Sequence, residues 1–266
     1  MRYIICQAAG AFEVGAGRGE MRRQHPEEEQ GLQQDSEQIK SRQRVTAHGE
    51  VYTSAREVRA MCDLAATEAE RPGSRVLEPA CGNGNFLAEI LSRRLKAAGK
   101  LHVLSQYEYE FQALLAASGL YGIDILRDNV AECRERLCRI WEEGAVRFCQ
   151  GGASAGSLAA VRFIFAKNIV CGDALTMRCS DGGYLIFSEW NFQADGMVLR
   201  RDFRFTRPAG TQQDLADSDS DSDSAGTPMV ADGQGFTPVL VREFAPVNYL
   251  KLPDTDRELC PGEKQG

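Results

Sequence analysis

Apolar residues recur along this chain in two rhythms, short unbroken runs and longer stripes at helical spacing, and the two alternate between about residues 54 and 187. Ser54-Ala55-Arg56-Glu57 has the serine and glutamate of a capping box, so a helix is expected there with Val58, Met61, Cys62 and Ala65 on its apolar face. Arg75-Val76-Leu77 is a short strand. Phe86 to Ala98 follows as a helix, with Phe86, Leu87, Ile90, Leu91 and Leu95 on one side and Gly99 closing it. The alternation continues with a helix over Tyr107 to Ser118, a strand over Leu120 to Asp124, and a helix capped by Asp128. That helix has Val130, Cys133, Leu137, Ile140 and Trp141 on one face. After a glycine-rich loop at Gly151 to Gly156 come a helix over Ser157 to Lys167, a third strand at Ile169 to Cys171 and a fourth at Tyr184 to Phe187. Strands that alternate with helices predict an α/β fold whose sheet is joined by helical crossovers.

Two stretches break the rhythm. Arg18 to Arg44 is dominated by Arg, Glu, Gln and Ser with almost no apolar anchor, too little burial to offset the entropy of ordering, so residues 1–40 are expected to form a disordered leader. Residues 209–235 carry an alternating Asp/Ser run from Asp217 to Ser224, which repels itself and reads as an acidic linker. Between them, residues 41–208 form the main domain. Residues 236–266 are a tail that alternates loosely as strand from Phe236 to Leu252, and is too short to be a domain, so it packs on the main body or hangs free.

Composition narrows the function classes. The chain has 266 residues and 43% hydrophobic content, enough for a globular core, and its net charge of −7 argues against a surface devoted wholly to nucleic acid. Residues 41–208 hold 22 Lys and Arg against 20 Asp and Glu, so a local basic face remains open. Nine cysteines lie scattered without a Cys-x-x-Cys pair, which reads as buried thiols in a reducing compartment and not as a metal site. The apolar run Tyr3 to Cys6 is too short for a signal peptide or a membrane span. A cytoplasmic protein without a membrane partner is expected.

The candidate chemistry lies in Leu77-Glu78-Pro79-Ala80-Cys81-Gly82-Asn83-Gly84-Asn85-Phe86-Leu87, between a strand and an amphipathic helix. Gly82 and Gly84 allow a tight turn and close approach of a ligand, and the helix that follows presents unpaired amides. Glu78 can meet a positive group of that ligand. A lone Gly-x-Gly is more often a plain strand-to-helix turn, its glycines serving only the backbone. Asp124 and Asp173, however, also follow short apolar strands, the position where open α/β sheets bind ligands. Asp124 is suited to accept from both ribose hydroxyls, and Asp173 from the amine of an adenine ring. A nicotinamide dehydrogenase fits less well, because the loop lacks Gly-x-Gly-x-x-Gly and Asp124 lies far beyond the roughly 20-residue spacing of that fingerprint.

Glu78 to Phe86 resembles the first motif of class I S-adenosylmethionine-dependent methyltransferases, in the form used by adenine-specific DNA methyltransferases of restriction-modification systems. Gly49-Glu50-Val51-Tyr52-Thr53-Ser54 is similar to that family's upstream Gly-x-Phe-Tyr-Thr-Pro element, which touches the methionine part of the cofactor. Tyr121 to Ile125 resembles the second strand with its ribose acid, and Asn168 to Leu175 the third with its adenine acid. The resemblance covers about Arg42 to Arg207. It implies a Rossmann-like methyltransferase sheet with flanking helices, incomplete in its C-terminal half, and S-adenosyl-L-methionine as cofactor. Thr53, Glu78, Pro79, Ala80, Gly82, Gly84, Asn85, Phe86, Asp124, Ile125, Asp173 and Ala174 are the implied cofactor contacts.

The chain departs from the family at one decisive place. No Asn-Pro-Pro-Tyr, Asp-Pro-Pro-Tyr or Ser-Pro-Pro-Tyr sequence occurs in it, and after the expected fourth strand it reads Phe187-Ser188-Glu189-Trp190-Asn191. In the family that tetrad accepts hydrogen bonds from the target amine and stacks on the flipped base. Ser188 or Glu189 as acceptor and Trp190 as stacking face are the candidate catalytic substitutes. The alternative is that Trp190 packs the end of the sheet, Glu189 is solvated, and catalysis is lost or completed by a second methyltransferase, specificity or nuclease subunit. DNA contact has one further candidate, Arg200, Arg201, Arg204 and Arg207 interleaved with Phe203 and Phe205, for which a plain exposed strand is the competing reading. Arg93, Arg94, Lys96 and Lys100 are expected to form a solvated helix face.

Overall fold

A computed structural model describes residues 3–5, 53–64, 70–100, 105–149, 151–206 and 236–259, of which 3–5 and 257–259 by backbone alone. The fold is mixed α/β. In chain order the elements are β1 (Tyr3–Ile5), α1 (Ala55–Leu64), β2 (Arg75–Glu78), α2 (Asn85–Lys100), α3 (Gln106–Ser118), β3 (Leu120–Asp124), α4 (Arg127–Phe148), α5 (Ala155–Asn168) and β4 (Ile169–Cys171). There follow β5 (Ile186–Phe192), β6 (Met197–Thr206), β7 (Thr237–Glu243), β8 (Val247–Asn248) and a 3₁₀ segment, Tyr249–Leu259.

The first sheet has the order β1-β2-β3-β4 and is parallel throughout. Helices α2 and α3 cross over from β2 to β3, and α4 and α5 from β3 to β4, as parallel pairing requires. Helix α1 starts as its sequence dictates: the Glu57 carboxylate accepts from Ser54 N at 3.1 Å, and Ser54 Oγ accepts from Glu57 N at 3.3 Å. The cap of α4 differs from expectation. Asp128 lies inside its first turn, and Leu126, at the N-cap position, donates its backbone N–H to Asp124 Oδ1 at 2.8 Å. A carboxylate at the end of the preceding strand thus holds the residue from which the helix starts, and no side chain caps the first turn.

Two expectations about strands are corrected. Tyr3–Ile5 pairs in parallel with Arg75–Leu77 and so belongs to the sheet, although it falls in the stretch expected to be a disordered leader. A three-residue apolar run gains ladder hydrogen bonds that its flanking polar sequence does not reveal. The rest of residues 1–40, the segment Gly49–Tyr52, Arg207 and the expected linker at 209–235 lie outside the described residues. The second correction concerns the expected fourth strand. Ile186–Phe192 does not continue the parallel sheet but pairs antiparallel with Met197–Thr206, and β7 adds to the far edge of β6. A tight turn at Gly196, with φ of 81°, makes this pairing local, whereas joining the parallel sheet needs a longer crossover.

The tail packs on the main body. β7 and β8 pair with β6, and the 3₁₀ segment lies against α5. Arg200, 2% exposed, fastens it: its guanidinium donates to Asp202 at 2.7 Å, Thr255 at 3.2 Å and Asp256 at 2.6 Å. Arg201 pairs with Glu243 on β7. Two of the arginines considered for DNA contact are therefore already engaged, and the Arg204 guanidinium lies over the Tyr184 ring at 5.0 Å. Arg94 also departs from its expected solvated face. It is fully buried and donates to Ala116 O and Ser74 O, both at 3.0 Å, and burial pushes its pKa down to about 10.

The core divides in two. The larger part gathers α2 to α5 around Val76 and Leu120, with Trp141 its largest fully buried side chain. The smaller lies among Tyr121, Ile123, Met177, Leu185, Phe187 and Phe205, joining the parallel sheet to the antiparallel one. Asn168 is one of the polar links between the sheets. It is fully buried, donates to Ser118 O at 2.9 Å and Leu120 O at 3.1 Å, and accepts from Trp190 Nε1 at 3.0 Å. Among the described residues no helix is long and apolar enough to cross a membrane.

Candidate functional site

A cleft of about 540 Å³ opens beyond the carboxyl ends of β2, β3 and β4. Parallel pairing places it there. Glu78 ends β2 opposite Gly122, Asp124 ends β3 opposite Cys171, and Asp173 follows β4 by two residues, so the acids form a staggered rim. Each residue of strand advances the chain by about 3.3 Å, which spreads the rim along the length of an extended ligand.

The loop after β2 is held by hydrogen bonds from both sides. Cys81 N donates to Ile123 O at 2.9 Å, Gly82 N to Asp124 Oδ2 at 2.9 Å and Gly84 N to Cys81 O at 2.8 Å. Gly82 and Gly84 have φ of 52° and 86°, the left-handed region that favours glycine. Gly84 also lies so close to α4 that a Cβ there would stand 2.6 Å from Cys133 Sγ. Of the twelve residues expected to contact cofactor, the other eleven line the cleft; Gly84 does not, because it is turned to packing.

Sequence reasoning missed several lining residues. Val58 and Met61 come from the inward face of α1, Leu126 and Asn129 from the start of α4, and Leu175 from the loop after β4. The helical stripe identified Val58 and Met61 as core but gave no sign that the stripe faces a cleft. Ile125 and Leu175 are 61% and 77% exposed, large apolar side chains at the edge of a concave surface. They offer apolar faces to a flat ring.

The three acids stand in different states. Asp124 is heavily engaged: Oδ1 accepts from Leu126 N at 2.8 Å and Asn129 Nδ2 at 3.3 Å, and Oδ2 from Gly82 N. A carboxylate has about four acceptor sites, so one remains, on Oδ2. That serves one ribose hydroxyl; the expected pair needs the long Asn129 bond to yield. Asp173 Oδ1 accepts from Leu175 N at 2.8 Å, and its other oxygen has no partner among the described residues. Glu78 is 4% exposed, yet its one hydrogen bond among the described residues is a long one, 3.4 Å from Ala80 N. Burial pushes its carboxyl up to about pKa 7.

Asparagines tie the cleft wall to the helices behind it. Asn85 Nδ2 donates to Thr53 O at 3.2 Å, its Oδ1 accepts from Arg136, and Asn83 Nδ2 donates to Glu132 at 3.2 Å. Asn85 thereby fixes the entry to α1 beside the start of α2. The same turn brings the amino end of α2, with its partial positive charge, to the cleft. No Lys, Arg or His is among the described lining residues.

The candidate catalytic residues are not brought to this rim. Glu189 pairs with Arg75, the first residue of β2, three residues or about 10 Å of strand before Glu78. Ser188 is 1% exposed, its hydroxyl donates to Asp202 Oδ1 at 2.6 Å, and its carbonyl accepts from Tyr121 Oη at 2.9 Å. Trp190 is 6% exposed, bonded to Asn168 and edge-on to Phe163 at 6.0 Å. Ser188, Glu189 and Trp190, expected to hold a target amine, stand instead toward the amino ends of the parallel strands: the Ser188 hydroxyl bonds Asp202 within the antiparallel sheet, Glu189 pairs with Arg75 on β2 and is not left solvated, and Trp190 bonds Asn168 at the end of α5.

Comparison with family models, with curated proteins and with solved structures returned no match.

Gly84→Ala is expected to destabilise the protein by about 2–4 kcal/mol in urea unfolding, from left-handed strain plus overlap with Cys133. Adding Cys133→Ala should recover the overlap part and leave the strain. Equal stability of Gly84→Ala and the parent would contradict the close packing of the loop on α4.

Because the folded Glu78 carboxyl binds its proton more tightly than in the unfolded chain, its stabilising contribution is full below about pH 4 and lost as pH rises through about 7. Glu78→Gln should make the parent's stability gap between pH 5 and pH 8 smaller. An unchanged gap in chemical denaturation would mean that Glu78 is not desolvated.

Proposed function

We propose that the chain binds S-adenosyl-L-methionine in the cleft and is the cofactor-binding part of a methyltransferase of the type that modifies adenine in DNA within restriction-modification systems. The observation that carries the reading is the convergence of Glu78, Asp124, Asp173 and the Gly82 turn on one cleft at the carboxyl ends of three parallel strands. Its volume falls within the usual range for small-molecule sites, about 300–1,000 Å³.

In this reading Glu78 receives the α-ammonium of the methionine part, Asp124 Oδ2 a ribose hydroxyl, and the free oxygen of Asp173 the adenine amine. The ring lies between the apolar side chains of Ile125 and Leu175. The start of α2 faces the methionine carboxylate. The cofactor supplies an electrophilic methyl group when bound; the chain's residues orient it and keep water from its apolar faces.

A second reading is favoured by the engagement of Ser188, Glu189 and Trp190 in packing: a module that holds the cofactor without chemistry of its own. Under the first reading the residues that hold the target amine, and those that contact DNA, come from a partner subunit. The two readings share the cofactor and differ in transfer.

Titration calorimetry with S-adenosylmethionine is expected to give saturable binding. Asp124→Asn should weaken it about tenfold or more, the loss of one charge-assisted hydrogen bond of about 1.5–3 kcal/mol. Absence of binding by the folded parent overturns both readings. Transfer of a labelled methyl group to DNA in the presence of a partner subunit supports the first, and intact binding with no transfer supports the second.

A further inference from the structure

Resting on the reading of the cleft as an adenosyl site, we propose that it selects its ligand by net charge, preferring the cationic sulfonium compound over the neutral thioether left after methyl loss and excluding 5′-phosphorylated nucleosides. Two independent observations lead there. The cleft has three carboxyl groups and no Lys, Arg or His among its described lining residues. Glu78, 96% buried, points into it with one oxygen unpartnered among the described residues and only a 3.4 Å bond to the other.

The cations behind the cleft are directed elsewhere. Arg136 donates to the Asn83 and Asn85 side chains, Arg134 to Ile169 O at 2.9 Å, and Arg127 to Ser180 Oγ at 3.2 Å. Positive potential at the cleft comes instead from the starts of α2 and α4, each equivalent to about half a unit charge and confined to its first turn. The start of α4 already faces Asp124, which leaves the start of α2 for one ligand carboxylate. Together the two helix starts are outweighed by Asp124 and Asp173, even with the Glu78 proton retained.

The sulfonium and thioether forms share every hydrogen-bonding group and differ by one methyl and one positive charge. Hydrogen bonds therefore cannot tell them apart, and charge can. A unit charge several ångströms from partly buried carboxylates at an effective dielectric of about 20 corresponds to a preference of about tenfold or more. A 5′-phosphate brings negative charge into the same field, with no Lys, Arg or His among the described lining residues to receive it. Such a site releases the spent ligand readily, so that product does not hold it closed against fresh cofactor.

The test is equilibrium dialysis of the full chain with S-adenosylmethionine, S-adenosylhomocysteine, adenosine and adenosine monophosphate, at low and at raised ionic strength. The expected result is at least about tenfold tighter binding of the sulfonium compound than of the thioether, narrowing as salt screens the field, with the monophosphate at least tenfold weaker than adenosine. Asp173→Asn, which keeps an acceptor for Leu175 N, should narrow the sulfonium preference. Equal or tighter binding of the thioether, or a monophosphate that matches adenosine, overturns the charge-selection proposal and leaves the adenosyl site standing. If none of the four binds, the adenosyl reading and this proposal fall together.

Discussion

The carboxylate of Asp124 is the constraint on which the cleft depends. It stands at the end of β3, yet its bonds reach outward: one oxygen holds Gly82 N from the loop after β2, and the other holds the start of α4 through Leu126 N and the Asn129 side chain. Two strand-to-helix turns are thus set against each other by one side chain, and the cleft is the space they enclose. A charge-assisted bond to a backbone N–H is worth about twice a neutral one, and this residue makes two. The clasp also limits function, since acceptor capacity spent on the fold is not available to a ligand.

The two ends of the parallel sheet have separate work. At the carboxyl ends, carboxyl groups are left partly unsatisfied and apolar side chains exposed, the costly arrangement expected where a ligand completes the structure. Toward the amino ends the polar side chains of β5 are paired: Ser188 with Asp202, Trp190 with Asn168, Glu189 with Arg75. The antiparallel sheet is fastened there, and Arg200 ties the C-terminal segment to it.

Much of the α/β frame was legible in the sequence, because apolar periodicity reports local burial directly. The strand at Leu120–Asp124, the capping box at Ser54 and the loop from Glu78 to Phe86 follow from residues next to one another. What the sequence concealed depends on distant pairing. Nothing in Phe187-Ser188-Glu189-Trp190 distinguishes a fourth parallel strand from an antiparallel hairpin; the partner decides, and it is Met197–Thr206. Gly84 looked like a ligand-facing glycine because the reason for it, Cys133, stands in another helix. Arg94 looked solvated because the carbonyls it satisfies, Ser74 and Ala116, come from other segments.

The central claim is that an adenosyl ligand sits at the carboxyl ends of β2 to β4 and leaves the antiparallel sheet untouched. Backbone and indole ¹H–¹⁵N resonances followed during titration with S-adenosylmethionine test it most directly. The account predicts shifts at Gly82, Ile125 and Ala174, with the Trp190 indole unmoved. Shifts centred on Trp190 and Arg75, with the Gly82 loop silent, would contradict it.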